Sequence, residues 1–416
     1  MACLNLNIKF AKHFLLYMNK QYILLTCIIL FIGLIQACSK LEPPAPAADQ
    51  VLDGPVDGLT YAQTAQHTRG DAAFTDEVFT KATGLGSIFV ATSCASCHAG
   101  EGKGHPFTTL TRFGQTDSTG NQFLNQGGPQ LQDRALPGFT PEYIPAGATF
   151  AKFLPPSNTG LGFLELVPDA DIIALSDPYD VNSDGIKGIP NWNSIPAFIT
   201  PNANAATRSG KYICRFGKKG STYNLLQQTV TAYNQDIGIT STFLLTDVYS
   251  GLDIDPEVSA NTVNDVVFYL QTLRAPIQRN QNDEDVIDGK QLFINANCSG
   301  CHTPELKTGY SAVDALSYKT FAPYTDLLLH DMGPGLDDGY TEGTAKTSAW
   351  RTPPLWGLGL SPNSQGGQYF LLHDGRANSI EAAIEMHGGE AVNAKNNFDA
   401  LNETDRQKII KFLKSL

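Results

Sequence analysis

The residues of this chain best suited to chemistry form two Cys-x-x-Cys-His motifs. Their members are Cys94, Cys97 and His98, and Cys298, Cys301 and His302. In such a motif the two thiols add to the vinyl groups of a haem, and the histidine becomes the proximal ligand of the iron. A thioredoxin-like dithiol and a zinc site also use Cys-x-x-Cys, but neither explains why a histidine follows directly, twice. The sequence therefore predicts two covalently bound haem c groups.

The composition limits what the rest of the chain can do. Of the 416 residues, 42% are hydrophobic and 17% are charged, so the chain can bury a sizeable core and is unlike a disordered segment. Lys and Arg number 29 against 41 Asp and Glu, and the formal net charge of −12 argues against binding to nucleic acid. The 8 cysteines are too few for a disulfide scaffold in a chain of this length.

The N-terminal segment has the features of an export signal. Residues 22–35 form an uncharged apolar run that follows Lys20, and this run is short for a membrane span. The sequence just after it resembles a bacterial lipoprotein cleavage site, which predicts a signal peptide over 1–37 and a lipidated Cys38. An uncleaved anchor helix is the alternative. Residues 38–59 are rich in Pro, Ala and Asp and predict a flexible tether. We therefore expect a lipid-anchored protein on the periplasmic side of the cell envelope, at the outer membrane.

The helices that must position the motifs are predicted most clearly around the second motif. Apolar residues at helical spacing predict a helix over 263–273, a short helix over 286–297 that leads into the second motif, and a closing helix over 404–416. The polar stretch between the first two predicts a domain boundary, with one haem domain over 60–275 and another over 276–416. The expected fold class is mainly α, with two cytochrome c-like domains. Because the chain has 38 Gly and 24 Pro, long irregular loops are expected. No internal repeat is found beyond the two motifs.

A haem with two protein ligands transfers electrons, whereas a haem with an open position can bind peroxide or oxygen. The best-placed candidate for a further iron ligand is His387, which lies on the same predicted helix face as Ile380, Ala383 and Ile384. The residues alone leave two interpretations open, an axial ligand and a hydrogen-bonded core histidine. His67 or His105 as a further ligand of the first haem would instead indicate a pure electron carrier.

One loop has the first half of a calcium-binding pattern. Asp180, Asn182 and Asp184 supply oxygen ligands at alternate positions, and Gly185 follows where such loops turn sharply. The twelfth position is Asn191 rather than a bidentate glutamate. A calcium site and a polar turn therefore both remain open.

Beyond the two motifs, six short segments carry a resemblance to a known family. They are residues 84–89 (GLGSIF), 128–134 (GPQLQDR), 160–165 (GLGFLE), 327–334 (LLLHDMGP), 350–357 (WRTPPLWG) and 373–377 (HDGRA). Together they resemble the bacterial di-haem oxidoreductases, which are peroxidase-like proteins also called thiol oxidoreductases. The resemblance extends from about residue 60 to the C-terminus. More distantly the chain is similar to the di-haem cytochrome c peroxidases and to the di-haem enzyme that matures methylamine dehydrogenase.

The resemblance implies a division of labour between the haems. In those relatives the N-terminal haem reacts with peroxide and the C-terminal haem transfers electrons. The helix after the His-Asp-Gly loop supplies the second ligand of the C-terminal haem. At the matching place this chain has His387, with Met386 as the runner-up. The relatives also hold a calcium ion between their haems.

The resemblance also implies residues over the open face of the first haem. The relatives carry a Gln there and, ten residues later, a Glu, and this spacing matches Gln132 and Glu142. Glu142 would then act as the acid and base that peroxide cleavage requires, and Gln132 would orient by hydrogen bonding. Glu165, within an apolar run, is the alternative base. From the sequence alone, Glu142 could equally be a solvated loop acid.

The predicted function is reduction of hydrogen peroxide at the first haem, with electrons that pass through the second haem. The electron donor is expected to be a soluble protein or a membrane-linked chain. Two alternatives remain open. One is a pure electron-transfer cytochrome with both irons six-coordinate, and the other is a haem oxidase that modifies a partner protein.

Overall fold

The computed structural model describes residues 52–114 and 122–416, together with residues 47 and 50. The predicted signal peptide, Cys38 and most of the predicted tether lie outside the described residues. Contacts group Ala48–Leu416 into one compact unit. Within the described ranges, no helix is both long enough and apolar enough to cross a membrane.

The helices follow local sequence signals. Those described are α1 (Tyr61–Thr75), α2 (Leu161–Glu165), α3 (Asp169–Leu175), α4 (Leu225–Gln235), α5 (Ala260–Thr272), α6 (Glu284–Asn295), α7 (Ser361–Ser364), α8 (Ile380–Glu385), α9 (Val392–Asp399) and α10 (Glu403–Ser415). The three predicted helices are confirmed as α5, α6 and α10. Each begins after a side chain that accepts hydrogen bonds from free backbone amides, namely Ser259, Asp283 and Asn402.

The strands are short and antiparallel. They are β1 (Ile88–Phe89), β2 (Leu110–Phe113), β3 (Arg134–Ala135), β4 (Phe150–Phe153), β5 (Asn191–Asn193), β6 (Thr207–Arg208), β7 (Lys211–Cys214), β8 (Leu306–Lys307), β9 (Thr320–Phe321), β10 (Leu329–Asp331) and β11 (Ala349–Arg351). The pairs are β1–β3, β2–β4, β8–β9 and β10–β11, and the three-stranded sheet has the order β5–β7–β6. The β1–β3 pair brings residues 134–135 beside the chain that leads into the first motif.

The predicted mainly-α fold class with two cytochrome c-like domains is therefore wrong. The structure is 34% helix and 13% strand, and small antiparallel sheets occur in both halves of the chain. The strands escaped prediction because each is only two to four residues long. An alternation of polar and apolar residues cannot be recognised over so short a run.

Two pairs of crossing helices frame the two motifs in the same way. Helix α1 packs on α5, and α6 packs on α10. A Cβ atom on Gly70 of α1 would lie 2.0 Å from the carbonyl oxygen of Asp265, and one on Gly289 of α6 would lie 2.1 Å from that of Lys408. At each crossing the two backbones are therefore in direct contact, which only glycine permits.

An aromatic residue follows each of these glycines by one helical turn. The ring centroid of Phe74 lies 6.1 Å from that of His98, and the ring centroid of Phe293 lies 6.3 Å from that of His302. Each phenylalanine also packs on an aromatic ring of the partner helix at 5.5 Å, Tyr269 in the first pair and Phe412 in the second. The chain thus repeats one framework around both motifs. The sequence analysis missed this repeat because the two copies share little beyond a Gly and a Phe.

The hydrophobic core has two main clusters. The second contains only residues from Val286 to Leu416. The first extends from Phe74 to Val267 and beyond, and it also includes Leu306, Leu328 and Trp356. Because residues after position 275 contribute to the first cluster, the two halves share core packing, and the domain boundary near that position stays a prediction.

The described end of the predicted tether is packed on this core. The side chains of Leu52 and Val56 are buried. The amide of Val56 donates to the carbonyl of Thr272 at 2.8 Å, and the amide of Arg274 donates to that of Gly54 at 3.1 Å. Residues 52–56 therefore run along the end of α5.

We expect Gly70→Ala to lower the free energy of unfolding by about 3 kcal/mol, because the added methyl group overlaps the α5 backbone and forces the helices apart. Gly335→Ala is the matched control, since no atom lies within 4 Å of a Cβ at that position. This control should change stability by less than about 0.5 kcal/mol. Urea unfolding followed by circular dichroism measures both variants. Equal stabilities of the two would show that α1 and α5 do not touch at Gly70.

Candidate functional site

The first motif forms a tight turn that leaves one nitrogen of its histidine free. The amides of Cys97 and His98 donate to the carbonyl of Cys94 at 3.1 and 3.0 Å. The Nδ1 atom of His98 lies 3.0 Å from the carbonyl oxygen of Pro156. Because a carbonyl can only accept, Nδ1 carries the hydrogen and Nε2 keeps a lone pair. Burial also lowers the pKa of His98 to about 4, so the ring is neutral.

The second motif has the same geometry. The amide of His302 donates to the carbonyl of Cys298 at 3.0 Å, and the Nδ1 atom of His302 lies 3.0 Å from the carbonyl oxygen of Tyr324. Burial lowers the pKa of His302 to about 4. Metal-bound histidines in proteins nearly always donate their other ring N–H in this way, which fixes the tautomer and the ring orientation. Both motifs therefore fit an iron ligand above a pair of thiols.

The four motif cysteines do not resemble redox-active thiols. None of them forms a disulfide. Burial raises the pKa of Cys94 and of Cys298 to about 12, and that of Cys97 to about 11. Reactive dithiols instead have lowered pKa values. The environment thus disfavours the thioredoxin-like interpretation.

Polar atoms without hydrogen-bond partners collect near the first motif. Among the described residues, buried side-chain atoms of this kind include the Oε2 atom of Glu77, the Oε1 atom of Gln130 and the hydroxyl of Tyr233. The charges of Glu77 and Cys94 both act on Tyr233, so these groups are neighbours. Buried polar groups without partners are rare in proteins, and a bound polar cofactor is one explanation for such a cluster.

The structure brings Gln132 and Glu142 together, as the resemblance implies. The amide of Gln132 donates to Oε2 of Glu142 at 2.8 Å, and the amide of Glu142 donates to the carbonyl of Gln132 at 2.9 Å. The side chain of Gln132 is buried and donates to the carbonyl of Gln235 at 2.9 Å. Burial raises the pKa of Glu142, and the hydrogen bond from Gln132 partly opposes the shift.

Asp236 is a further acid at this site that the sequence analysis missed. Its carbonyl accepts hydrogen bonds from the amides of Val90 and Ala91 at 2.7 and 2.9 Å, just before the first motif. Its carboxylate accepts a hydrogen bond from Gln130, and its charge acts on both thiols of the motif. Burial raises the pKa of Asp236 to about 6, against the opposing effects of Gln130 and Arg112. No local pattern marks this residue, since it simply follows the last turn of α4.

Glu165 has a different environment. One carboxylate oxygen accepts from the amide of Leu225 at 2.7 Å, and the other accepts from the side chain of Gln271 at 2.6 Å. Both oxygens therefore hold the beginning of α4 to α5. The described contacts do not bring Glu165 to the pair formed by Gln132 and Glu142.

His387 lies two residues after the end of α8 and has the same tautomer as the motif histidines. Its Nδ1 atom lies 2.7 Å from the carbonyl oxygen of Ala383, so Nε2 keeps a lone pair. Its charge is one cause of the lowered pKa of His302, after burial, which makes the two rings neighbours. Met386 is 39% exposed. Of these two candidates, His387 is the one whose environment fits an iron ligand.

His330 and two carboxylates form a buried clamp next to the second motif. The Nε2 atom of His330 lies 2.7 Å from Oδ2 of Asp326, and its Nδ1 atom lies 2.8 Å from Oε2 of Glu390 and 3.5 Å from Sγ of Cys301. Both nitrogens face carboxylates, which requires a protonated ring. Burial disfavours this charge, but Asp326 and Glu390 outweigh it and raise the pKa of His330 well above its ordinary value. Because Glu390 follows His387 by three residues, the clamp also holds the loop that carries His387.

The other two histidines discussed for the first haem lie elsewhere. The Nδ1 atom of His67 lies 2.8 Å from the hydroxyl of Thr272, and its ring packs on Tyr269, which in turn packs on Phe74. Ring contacts through Tyr269 and Phe74 therefore connect His67 to His98. His105 packs between Phe107 and Phe370, each at 4.7 Å.

The loop predicted to bind calcium is closed by its own side chains. Asp180 accepts a hydrogen bond from the amide of Gly185 at 3.1 Å, Asn182 from that of Asp184 at 3.1 Å, and Asp184 from that of Ile186 at 2.8 Å. In the described part of the chain, no group of three or more His, Cys, Asp and Glu side chains is arranged to hold a metal ion. Calcium binding here stays a prediction.

We expect His330→Gln to lower the free energy of unfolding by about 3 kcal/mol at pH 6, because the buried Asp326 and the partly buried Glu390 lose their shared cation. The folded-state pKa of His330 is raised, so its stabilisation is complete below about pH 6.5 and is lost as the pH rises toward the folded-state pKa. The difference from the wild type should therefore shrink steadily above about pH 6.5.

Urea unfolding at a series of pH values measures this effect. His105→Gln is the control for loss of a histidine ring, since His105 packs on Phe107 and Phe370 rather than between carboxylates. A destabilisation of His330→Gln that is equal at pH 6 and pH 9 would show that His330 is not a buried cation.

Comparisons with known proteins identify the family of the chain. The family model described as "Di-haem oxidoreductase, putative peroxidase" matches residues 154–416, which is more than half of the chain. No curated protein matches the chain. Among solved structures, a chain of Kuenenia stuttgartiensis hydrazine synthase under xenon pressure aligns with 90% of this chain and 94% of its own, at 13% identity and a TM-score of 0.37. A likeness this low carries no argument about fold or function. On the family match, the chain belongs to the di-haem oxidoreductases.

Proposed function

We propose that this protein is a di-haem c-type cytochrome that reduces hydrogen peroxide to water at the haem on His98. Electrons would reach that haem through the haem on His302. The observation that carries the proposal is the unequal environment of two otherwise equal motifs. A second imidazole with a free Nε2 atom, that of His387, lies beside His302. Asp236, a carboxyl group whose pKa is raised, acts on the thiols of the first motif. Glu142, whose pKa is also raised, is linked to the residue before Asp236 through the hydrogen bonds of Gln132.

The residues of each motif can hold and orient a haem. The thiols of Cys94 and Cys97, and those of Cys298 and Cys301, would form the covalent bonds. When bound, each haem supplies an iron that exchanges electrons and, where a coordination position is open, binds the oxidant. The hydrogen bond from Nδ1 of each motif histidine to a carbonyl keeps the Nε2 lone pair directed away from the loop. It also makes the imidazole a stronger electron donor.

Peroxide reduction needs proton transfer, and Glu142 is suited to it. Reduction of H2O2 by two electrons and two protons yields two water molecules, and one proton must move from one peroxide oxygen to the other. A carboxyl group whose pKa is raised by burial can take up that proton and release it again more readily than an ordinary exposed carboxylate. The amide of Gln132 fixes Oε2 of Glu142, which leaves Oε1 for the proton. Asp236, with a pKa of about 6, is a second group that can supply protons from its position beside the thiols.

The environment of His387 suits electron transfer at the second site. His302 and His387 would both hold the iron of the second haem and so exclude small molecules from it. Such ligation favours a lower potential than a His/Met pair. The hydrogen bond to Ala383 and the clamp at Glu390 both restrict the movement of His387.

We also propose the location and partners of the protein from its sequence. The signal-like segment over 1–37 and Cys38 support export and a lipid anchor on the periplasmic side of the envelope. The electron donor would be a soluble protein or a membrane-linked chain, and hydrogen peroxide would be the oxidant.

The function is tested by peroxide consumption of the purified di-haem protein after reduction by about one electron per molecule. We expect turnover well above that of free haem, and Glu142→Gln should slow it at least about 100-fold because the proton carrier is lost. Asp133→Asn is the control, since Asp133 is exposed and adjacent to Gln132. Full activity of Glu142→Gln would exclude Glu142 as the acid and base. Absence of turnover in the wild type would favour a pure electron carrier.

We expect His387→Ala to convert the second haem from low spin to high spin, since one of its two axial ligands is removed. Met386→Ala is the matched control, because it tests the runner-up ligand on the same turn. Electron paramagnetic resonance of the oxidised protein measures both. A low-spin second haem in His387→Ala, together with a high-spin one in Met386→Ala, would assign the ligand to Met386 instead.

A further inference from the structure

Three basic side chains near the first motif have no carboxylate partner. Lys103, Lys218 and Arg351 are each partly buried. In the described part of the chain none of them takes part in an ion pair. The guanidinium group of Arg351 donates only to backbone carbonyls, at 3.0 Å. We refer to these three residues as the cationic cluster.

Backbone contacts assemble two members of the cluster. The amide of Arg351 donates to the carbonyl of Lys218 at 3.0 Å, and its side-chain Nε donates to the carbonyl of Gly217 at 3.0 Å. Strand β11 and the turn after β7 are therefore joined. The like charges of Lys103 and Arg351 both act on Lys218, which places all three cations together.

The cluster borders the first motif. A Cβ atom on Gly104 would lie 2.8 Å from the carbonyl oxygen of Cys97, so the chain at Lys103 passes directly against the motif. The amide of Gly104 also donates to the carbonyl of Pro155, next to the Pro156 carbonyl that orients His98. The charge of Lys218 acts on the imidazole of His98.

The carboxylates whose charges act on the cluster already bind other side chains. Asp374 attracts Lys218, but its carboxylate accepts a hydrogen bond from Arg376 at 2.6 Å. Asp326 attracts Arg351, but it is bound to His330 at 2.7 Å. Three basic groups brought together and partly buried without an ion-pair partner are costly, and a bound anion would offset that cost. Burial accordingly lowers the pKa of Lys218 to about 7 and that of Lys103 to about 8.

We propose that Lys103, Lys218 and Arg351 bind the two propionate carboxylates of the haem attached at Cys94 and Cys97. The inference rests on the proposed haem at His98. It gives a role to three residues that have none in the proposed function. Any carboxylate or oxyanion would suit the charges of the cluster. The propionates are favoured over an ion from solution because Lys103 directly precedes the Gly104 amide that bonds Pro155, next to the carbonyl that orients the His98 imidazole.

This binding has a consequence that can be measured without turnover. Positive charge close to a haem favours its reduced form, which carries one positive charge fewer than the oxidised form. The cationic cluster therefore raises the reduction potential of the first haem. Removal of one cation should lower that potential and leave the second haem unchanged.

The test uses the full-length di-haem protein and its variants Lys218→Gln and Lys103→Gln. We expect each variant to keep two haems per chain by pyridine haemochromogen assay. The reduction equilibrium of the first haem should shift about tenfold toward the oxidised form, which corresponds to about 59 mV for one electron. Lys218→Arg should restore the wild-type value. Lys152→Gln, at an exposed position of β4, is the control and should change nothing.

Two other results would overturn the proposal. Both glutamine variants could retain two haems and wild-type potentials, in which case the cluster does not contact the cofactor. Alternatively, added acetate or phosphate could lower the potential of the wild type but not that of Lys218→Gln, which would show that the cluster binds an ion from solution. The proposed function is tested separately. It would be excluded if the wild type carried two haems and did not consume peroxide, even though the glutamine variants showed the expected shift in reduction potential.

Discussion

One hydrogen bond in each half of the chain controls what the two motifs can do. A Cys-x-x-Cys-His turn fixes the position of its histidine but leaves the imidazole free to rotate. The carbonyls of Pro156 and Tyr324 remove that freedom, because each accepts a hydrogen bond from Nδ1 and so selects the tautomer with a free Nε2. Each carbonyl belongs to a loop that is distant in sequence from its motif. The rest of the fold must therefore hold that loop against the motif histidine. The crossings at Gly70 and Gly289 bring the helices close enough for Phe74 and Phe293 to reach the same imidazoles.

The two halves share this framework and differ in what surrounds it. Near the first motif, β1 and β3 bring Gln132, Glu142 and the end of α4 alongside the chain that leads into the turn. Near the second, β10 and the segment after α8 bring His330 and His387. The helices thus define two equivalent places for a cofactor, and the loops make these places chemically different. In proteins generally, packed helices and strands form the scaffold, and the loops between them carry the functional residues. The two halves of this chain follow the same rule.

The sequence predicted features that depend on short spacings and missed those that depend on distant contacts. The two motifs and helices α5, α6 and α10 follow from residues that are close in sequence. The pairing of Gln132 with Glu142 was implied by the family resemblance rather than by the residues themselves. Asp236 could not be found in this way, because its burial and its bond to Gln130 bring together residues more than a hundred positions apart. The repeated helix crossing was hidden for another reason. In each copy the crossing is marked by a single glycine, and the need for glycine becomes clear only when the position of the partner helix is known. The short strands carry no readable period at all, and the fold class was misjudged on their account.

The charges near the two sites also give the proposed electron transfer a direction. The clamp at the second motif combines one imidazolium with two carboxylates, so it places a net negative charge beside Cys301. Negative charge favours the oxidised form of a nearby haem, and ligation by His302 and His387 would act in the same sense. The three basic side chains of the cationic cluster at the first motif would instead offset the negative charge of the two propionates. In the proposed arrangement the second haem is therefore the stronger reductant and the first the stronger oxidant. Because Asp326 interacts with both His330 and Arg351, the segment that follows Tyr324 connects the two opposite electrostatic environments.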